Sequence, residues 1–320
     1  MPVDERFRRQ VALLVRVLPF VAEEKCFALK GGTAINLFIR DLPRLSVDID
    51  LSYLPVADRE ESLRDIETAL CRIQERVEGS IRLARVQRGR LAEEGTINKL
   101  FIRERVTQIK IEVTPVLRGC VQEPEERSVA DAVEEQFGFA EIQVVSFADL
   151  YAGKIVAALH RQHPRDLFDV RDLLSNEGID APLRAAFVVY LISHHRPIWT
   201  LLAPARRDLA DEYARGLIGM TENPVTLEEL EQTREDMIAS IVGGMPDTHQ
   251  RFLLSFQRGA PEWPRLEVEH AQTLPAVRWQ MMRLGRLDQE EREELADRLE
   301  EVLGYRSSPG GTTEIGGGMP

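Results

Sequence analysis

From Ser46 to Leu51 the chain reads Ser-Val-Asp-Ile-Asp-Leu. Val47, Ile49 and Leu51 alternate with Asp48 and Asp50, the period of a strand with one buried face. Successive side chains of a strand point to opposite faces, so the two carboxylates share a side, roughly 6–7 Å apart. Like charges that close repel each other. They are tolerated on a solvated face, or where a divalent cation sits between them. Mg²⁺ is such a cation, since it takes hard oxygen ligands together with substrate phosphates. Either reading fixes a half-buried strand early in the chain, and neighbouring elements must cover its apolar side.

The flanking pattern says what those elements are. Residues 5–24 carry Phe7, Val11, Leu14, Val15 and Leu18 at helical spacing. The short apolar run Phe27-Ala28-Leu29 ends at Gly31-Gly32, and Thr33 to Arg40 then reads as a helix. A turn without side chains at the start of a helix lets backbone N–H groups approach an anion, although a tight turn alone also explains two glycines. A charged amphipathic helix over 59–77 precedes three strands at 81–87, 97–102 and 106–114. In the last lies Glu112, an acid in a run otherwise suited to burial. It calls for a metal or for a partner such as a neighbouring Lys or Arg.

From Ser146 the periodicity becomes helical. Ser146 with Asp149 resembles a capping box, and that helix is expected to run to His160 and to stop at Pro164. A second follows over 165–174, then candidates at 183–195, 206–217, 226–242, 247–258, 276–284 and 288–303. The whole predicts an α+β fold: a sheet-bearing domain over residues 1–145, a mainly helical domain over 146–305, and a disordered Gly-rich tail over 306–320. Lys154 falls beside the apolar stripe of its helix, where an ammonium must snorkel or meet an anion. It stands out because lysine occurs elsewhere only at Lys25, Lys30, Lys99 and Lys110. Arg165, Asp166 and Asp169 lie within one turn and read blandly as a surface ion-pair lattice.

Composition narrows the class. With 43% hydrophobic and 29% charged residues the chain has the make-up of an ordinary globular protein. Its net charge of −12 does not suit a coat for nucleic acid, but a locally basic face still admits an RNA substrate. Cys26, Cys71 and Cys120 have no zinc-like or redox spacing. No apolar run approaches the roughly 20 residues of a membrane span, and the charged N-terminus lacks a secretory signal, so the expected location is the cytoplasm. His160, His163, His194 and His195 have no carboxylate or cysteine partners at metal spacing and read as structural.

The order of these pieces is more specific than any one of them. The run GGTAINLFIRDLPRLSVDIDL, then an acidic strand, then K-I-V-A-A-L and R-D-L-F-D-V, resembles the AbiEii/AbiGii toxin family of nucleotidyltransferases. That family includes the toxin halves of type IV toxin–antitoxin systems and the mycobacterial MenT toxins. The resemblance spans roughly residues 25–175. It implies a DNA polymerase β-like nucleotidyltransferase fold with a helical second lobe. Gly31, Gly32 and Thr33 match the phosphate-handling motif, and Asp48 and Asp50 the metal-binding carboxylates, with Glu112 as the third. Arg44 and Ser46 match the approach to the metal strand, Lys154 the nucleotide-contacting lysine, and Asp169 the late essential aspartate. Asp166 can replace Asp169 in that role, and with Arg165 it joins the nucleotide-binding set. The implied function is Mg²⁺-dependent transfer of nucleotides from an NTP to an RNA acceptor, the tRNA 3′ end, with a cognate antitoxin as partner and no membrane. The alternatives are nucleotidylation of a protein, or a catalytically silent module that binds the antitoxin.

Overall fold

The computed structural model describes residues 3–92 and 94–304. The tail expected over 306–320 lies outside the described residues.

The first half builds one sheet. α1 (Glu5–Ala22) starts at Asp4, whose carboxylate accepts the Arg6 N–H at 2.7 Å, and buries Phe7, Val11, Leu14, Val15 and Leu18. β1 (Phe27–Lys30) runs directly into α2 (Gly31–Ala34), and the chain continues as a wide π-helical turn over Ile35–Ile39. Then come β2 (Asp48–Tyr53), α3 (Arg59–Ser80), β3 (Ala84–Arg90), β4 (Ile97–Glu104) and β5 (Thr107–Arg118). β6 (Glu125–Ser128), α4 (Asp131–Phe137) and β7 (Glu141–Val144) complete it. The strand order is β3-β4-β5-β2-β1-β7-β6. β2 is antiparallel to β1 and parallel to β5, so the Asp48–Asp50 strand lies in the interior of a mixed sheet.

The expected helix over 5–24, the strand holding Asp48 and Asp50, and the helix after it are all present. Several strand limits move, two of them for a visible local reason. β3 begins later than residue 81, because Ile81 caps α3 and Leu83 takes a left-handed φ of 71°. β5 runs past 114 through an irregularity: Leu51 pairs with Val113, but Tyr53 pairs with Arg118. The segment 114–117 therefore bulges, and Pro115 within it cannot donate to a ladder. β6, α4 and β7 were not expected from the pattern.

The second half is helical: α5 (Phe147–Arg161), α6 (Pro164–Asn176), α7 (Ala181–Ile192), α8 (Ile198–Leu202), α9 (Ala210–Gly216), α10 (Leu227–Ile238), α11 (Asp247–Gln257), α12 (Pro275–Leu284) and α13 (Gln289–Leu303). Ser146 caps α5 by accepting the Asp149 N–H at 3.0 Å. α5 ends at left-handed Gln162, and Pro164 opens α6 rather than stopping α5. The candidate at 206–217 shrinks to α9. One connected cluster of buried side chains joins sheet residues such as Leu29, Ile49 and Ile111 to helix residues such as Ile155, Leu159 and Phe187.

Candidate functional site

Strand register assembles the acids. Asp50 stands opposite Lys30 on β1 and Glu112 on β5, Asp48 opposite Lys110, and Glu112 opposite Lys99 on β4. The three acids named from sequence therefore share one patch with three of the five lysines. Their situations differ. Lys99 and Lys110 donate to the two Glu112 oxygens at 2.8 and 2.7 Å. Burial would raise the Glu112 pKa, but these two ammonium groups prevail and hold it below the ordinary carboxylate range. Asp48 and Asp50 have no side-chain hydrogen bond or ion pair within the described residues. Burial, then the neighbouring Asp48 charge, pushes the Asp50 pKa up. Burial likewise pulls that of Lys30 down.

The glycine turn is explained by what crosses it. Gly31 has φ +74°, and a Cβ there would meet the Asp50 Oδ2 at 2.7 Å. A Cβ on Gly32 would meet the Arg44 Nη2 at 2.7 Å and the Ser46 Oγ at 3.0 Å. Any side chain would wedge the turn off the acidic strand. Thr33 is fully buried; its hydroxyl contacts the Ser46 Oγ at 3.0 Å and the Asp48 carbonyl oxygen. Thr33 and Ser46 thus fasten the helix start to the strand start and fix where Asp48 emerges.

A second charged cluster lies beneath. Arg44 donates to Asp169 from Nε at 2.8 Å and Nη2 at 2.6 Å, and Asn36 adds a bond at 3.0 Å. Asn36 also bonds the Gly32 carbonyl at 2.8 Å. Lys154 bridges Asp166 at 2.9 Å and Asp169 at 3.0 Å. Arg161 forks onto Asp166 at 2.5 and 2.9 Å. Arg44, Lys154, Asp166 and Asp169 are all buried. Burial alone would raise both aspartate pKa values. Lys154 and Arg161 around Asp166, and Arg44 and Lys154 around Asp169, reverse the sign and hold both low. The surface lattice expected at 165–169 is instead a buried network. It also separates the two aspartates that sequence left equivalent: Asp169 ties to the glycine turn through Arg44 and Asn36, Asp166 to the end of α5 through Arg161.

Both clusters border one cleft of about 1120 Å³, lined by Lys30, Gly31, Gly32, Asp50, Glu112 and Lys154 among others. Lys154 reaches it with two of its three N–H donors engaged by carboxylates. Arg165 has no side-chain hydrogen bond or ion pair within the described residues; burial is the main cause lowering its pKa, with Arg44 opposing and Asp48 favouring its charge. Farther along the wall, His160, His194 and His195 come together, with ligand atoms within 4.8 Å of one another. Sequence spacing could not show that meeting. Yet His194 and His195 stack at 26° with centroids 4.4 Å apart, so one ion cannot lie in both ring planes. The His194 Nδ1 already accepts the Arg196 N–H at 3.1 Å. Burial and the adjacent histidines push the His194 pKa down to about 4.

Sequence reading missed Lys30, Asn36 and Arg161; the basic partner it allowed for Glu112 is present twice over, as Lys99 and Lys110. Of the three missed, only Lys30 carried a signal, as a charge at the last position of an apolar strand before the glycines.

The family described as nucleotidyl transferase AbiEii toxin, type IV TA system, matches residues 12–283. Among solved structures the chain is similar to MenT4, a nucleotidyltransferase toxin from Mycobacterium tuberculosis H37Rv, at 16% identity and a TM-score of 0.58, covering 87% of this chain and 93% of that one. At that identity the likeness speaks for the fold. No curated protein matches.

Proposed function

The chain belongs to the AbiEii family of nucleotidyl transferase toxins of type IV toxin–antitoxin systems, and from that premise we propose that it transfers nucleotides from an NTP to an RNA acceptor, the tRNA 3′ end, with Mg²⁺ held by Asp48, Asp50 and Glu112. The observation that carries this is the pair of carboxylates on β2 without an ion pair among the described residues, Asp50 standing in register with Glu112 and lining a cleft beside a glycine turn.

The residues fit a hard divalent cation. Asp48 and Asp50 offer oxygens with no competing partner, and the raised pKa of Asp50 marks a charge that the protein alone leaves under-compensated. Glu112 fits as a ligand once it exchanges one lysine contact. Bound Mg²⁺ would supply charge stabilisation at the transferring phosphoryl group. The protein's share is positioning, as in other phosphoryl transfers. The N–H groups at Gly31, Gly32 and Thr33 face the phosphates at a helix start. Lys154 directs its remaining N–H at the triphosphate, and Asp169 and Asp166 aim that ammonium. Arg165 contributes an unpaired cation near Asp48. Ser46 fixes the strand entry. We also propose the division into a sheet domain over 1–145 and a helical domain over 146–305, with the cleft between them, and a cytoplasmic setting beside a cognate antitoxin. No helix of the described residues is long and apolar enough to cross a membrane.

The test is incubation with each labelled NTP, Mg²⁺ and total RNA. Label in an RNA of tRNA size supports the proposal. Label in protein instead favours nucleotidylation of a polypeptide, and label in neither overturns transfer to RNA.

A further inference from the structure

Arg118 closes the bulged end of β5 and lines the same cleft. It is only 8% exposed. Its Nε and Nη1 are sealed from solvent without a hydrogen-bond partner. Within the described residues no carboxylate pairs with it and no aromatic ring stacks on it. Buried charges are ordinarily paired, because an uncompensated ion in a protein interior is costly. Each buried polar atom left unbonded in a native fold therefore asks for an explanation. Relief by proton loss is closed to a guanidinium, which stays charged in proteins. Nearby charges do not replace a partner: Arg59 repels it, and Asp58 favours its charge from a distance without a hydrogen bond or ion pair to it among the described residues. What is absent among the described residues is an anion in contact with the guanidinium.

The bulge sets where that anion would lie. Arg118 is six residues beyond Glu112, which in regular extended chain is about 20 Å. The irregular pairing brings it opposite Tyr53, three residues from Asp50 on β2 and hence about 10 Å along the strand. Its backbone is pinned there. The next residue, Gly119, has φ +77°, and a Cβ on it would meet Leu274 at 2.9 Å and Val56 at 3.1 Å. Its N–H bonds the Tyr53 carbonyl at 2.9 Å. Bulges beside active sites commonly re-aim a side chain in this way.

We propose that Arg118 is a second anion-binding subsite of the cleft, taking a phosphate group beyond the one that meets the acidic strand. A planar guanidinium with free donors suits a phosphate's oxygens. Two sources share that chemistry: the triphosphate of the incoming nucleotide and a phosphodiester of the acceptor strand. That the anion is a phosphate rests on the transfer reading above, and the subsite is therefore tested by binding without turnover.

The experiment is isothermal titration of wild type, Arg118→Met and Arg118→Gln with two probes. One is a non-hydrolysable α,β-methylene NTP with Mg²⁺, the other a short single-stranded RNA. Both substitutions remove the charge and keep much of the length. Thermal stability should be unchanged or higher, and affinity for one probe should fall by tenfold or more. Loss confined to the nucleotide assigns the subsite to the triphosphate, loss confined to the RNA to the acceptor. Wild-type affinity for both probes in the variants overturns the subsite. So does failure of both variants to fold, which would make Arg118 a structural residue. A wild type that binds neither probe would instead speak against the transfer reading.

Discussion

Two pairs of aspartates, one in each of the charged clusters that meet at the cleft, are treated in opposite ways. Asp48 and Asp50 on β2 have no side-chain hydrogen bond or ion pair among the described residues, and burial leaves the Asp50 proton harder to lose than usual. Asp166 and Asp169 on α6 are more deeply buried, yet three cations hold them ionised. Burial is thus not what distinguishes them; counter-charge is. A carboxylate left short of positive charge is prepared to receive a cation from solution. One saturated by Arg44, Lys154 and Arg161 is already a finished joint. On the proposed function, the difference separates residues that take a ligand from residues that hold others in place.

The largest test removes the awaiting acid. Asp50→Ala should lower nucleotide transfer by roughly a thousandfold or more, the scale of several kcal/mol that a metal contributes at a phosphoryl group. Its melting temperature should hold or rise, because a repelling charge has gone. Near wild-type turnover in single-turnover assays would dissolve the contrast.

The counterpart is Asp169→Ala. Removing one member of a buried ion pair leaves Arg44 uncompensated and Lys154 with Asp166 alone, a loss of roughly 3–5 kcal/mol of stability. Urea denaturation should show it with or without Mg²⁺. A stability within 0.5 kcal/mol of wild type, the usual range of neutral surface substitutions, would mean that the network is not a joint.

Lys154→Ala should cost less, roughly 1.5–3 kcal/mol for hydrogen bonds between charged groups, because Arg44 and Arg161 still face the two aspartates. It should also weaken NTP binding. Stability lost with NTP affinity intact would restrict Lys154 to the joint.

The smallest effect concerns pH in metal-free protein. Asp50 has a folded pKa above its unfolded value. Its favourable contribution is therefore present below the unfolded pKa and disappears as pH rises through the folded one. Asp166 and Asp169 have lowered folded values, so their contribution is present above the unfolded pKa and is lost as pH falls through the folded one. Asp50→Asn should accordingly melt close to wild type in acid and gain on it as pH rises to neutrality. Added Mg²⁺ should close the gap by stabilising wild type alone. A gap that is constant across pH would deny that Asp50 titrates abnormally.

The same contrast marks what the sequence made legible. Asp48 and Asp50 could be read because alternation within one strand fixes their common face. Gly31 and Gly32 could be read as a turn, though not that Asp50 and Arg44 are what exclude a side chain there. Asp166 and Asp169 were seen, but not told apart, since their partners lie on other elements and only the fold brings them near. β6 and β7 are four residues each, too few to carry a period. Arg118 gave no signal: its isolation comes from a bulge, and a bulge is a mismatch between two strands rather than a property of either.

The clamp between Arg44 and Asp169 joins residues 125 apart in sequence. During synthesis at about 5–20 residues per second, that gap lasts about 6–25 s. The glycine turn and acidic strand are made first and must wait for α6 before Arg44 has its counter-charge. A nascent or prematurely released chain ending before Asp169 therefore carries the acids of β2 without the joint that fixes the turn beside them. The interval separates the making of the acidic strand from the closing of that joint.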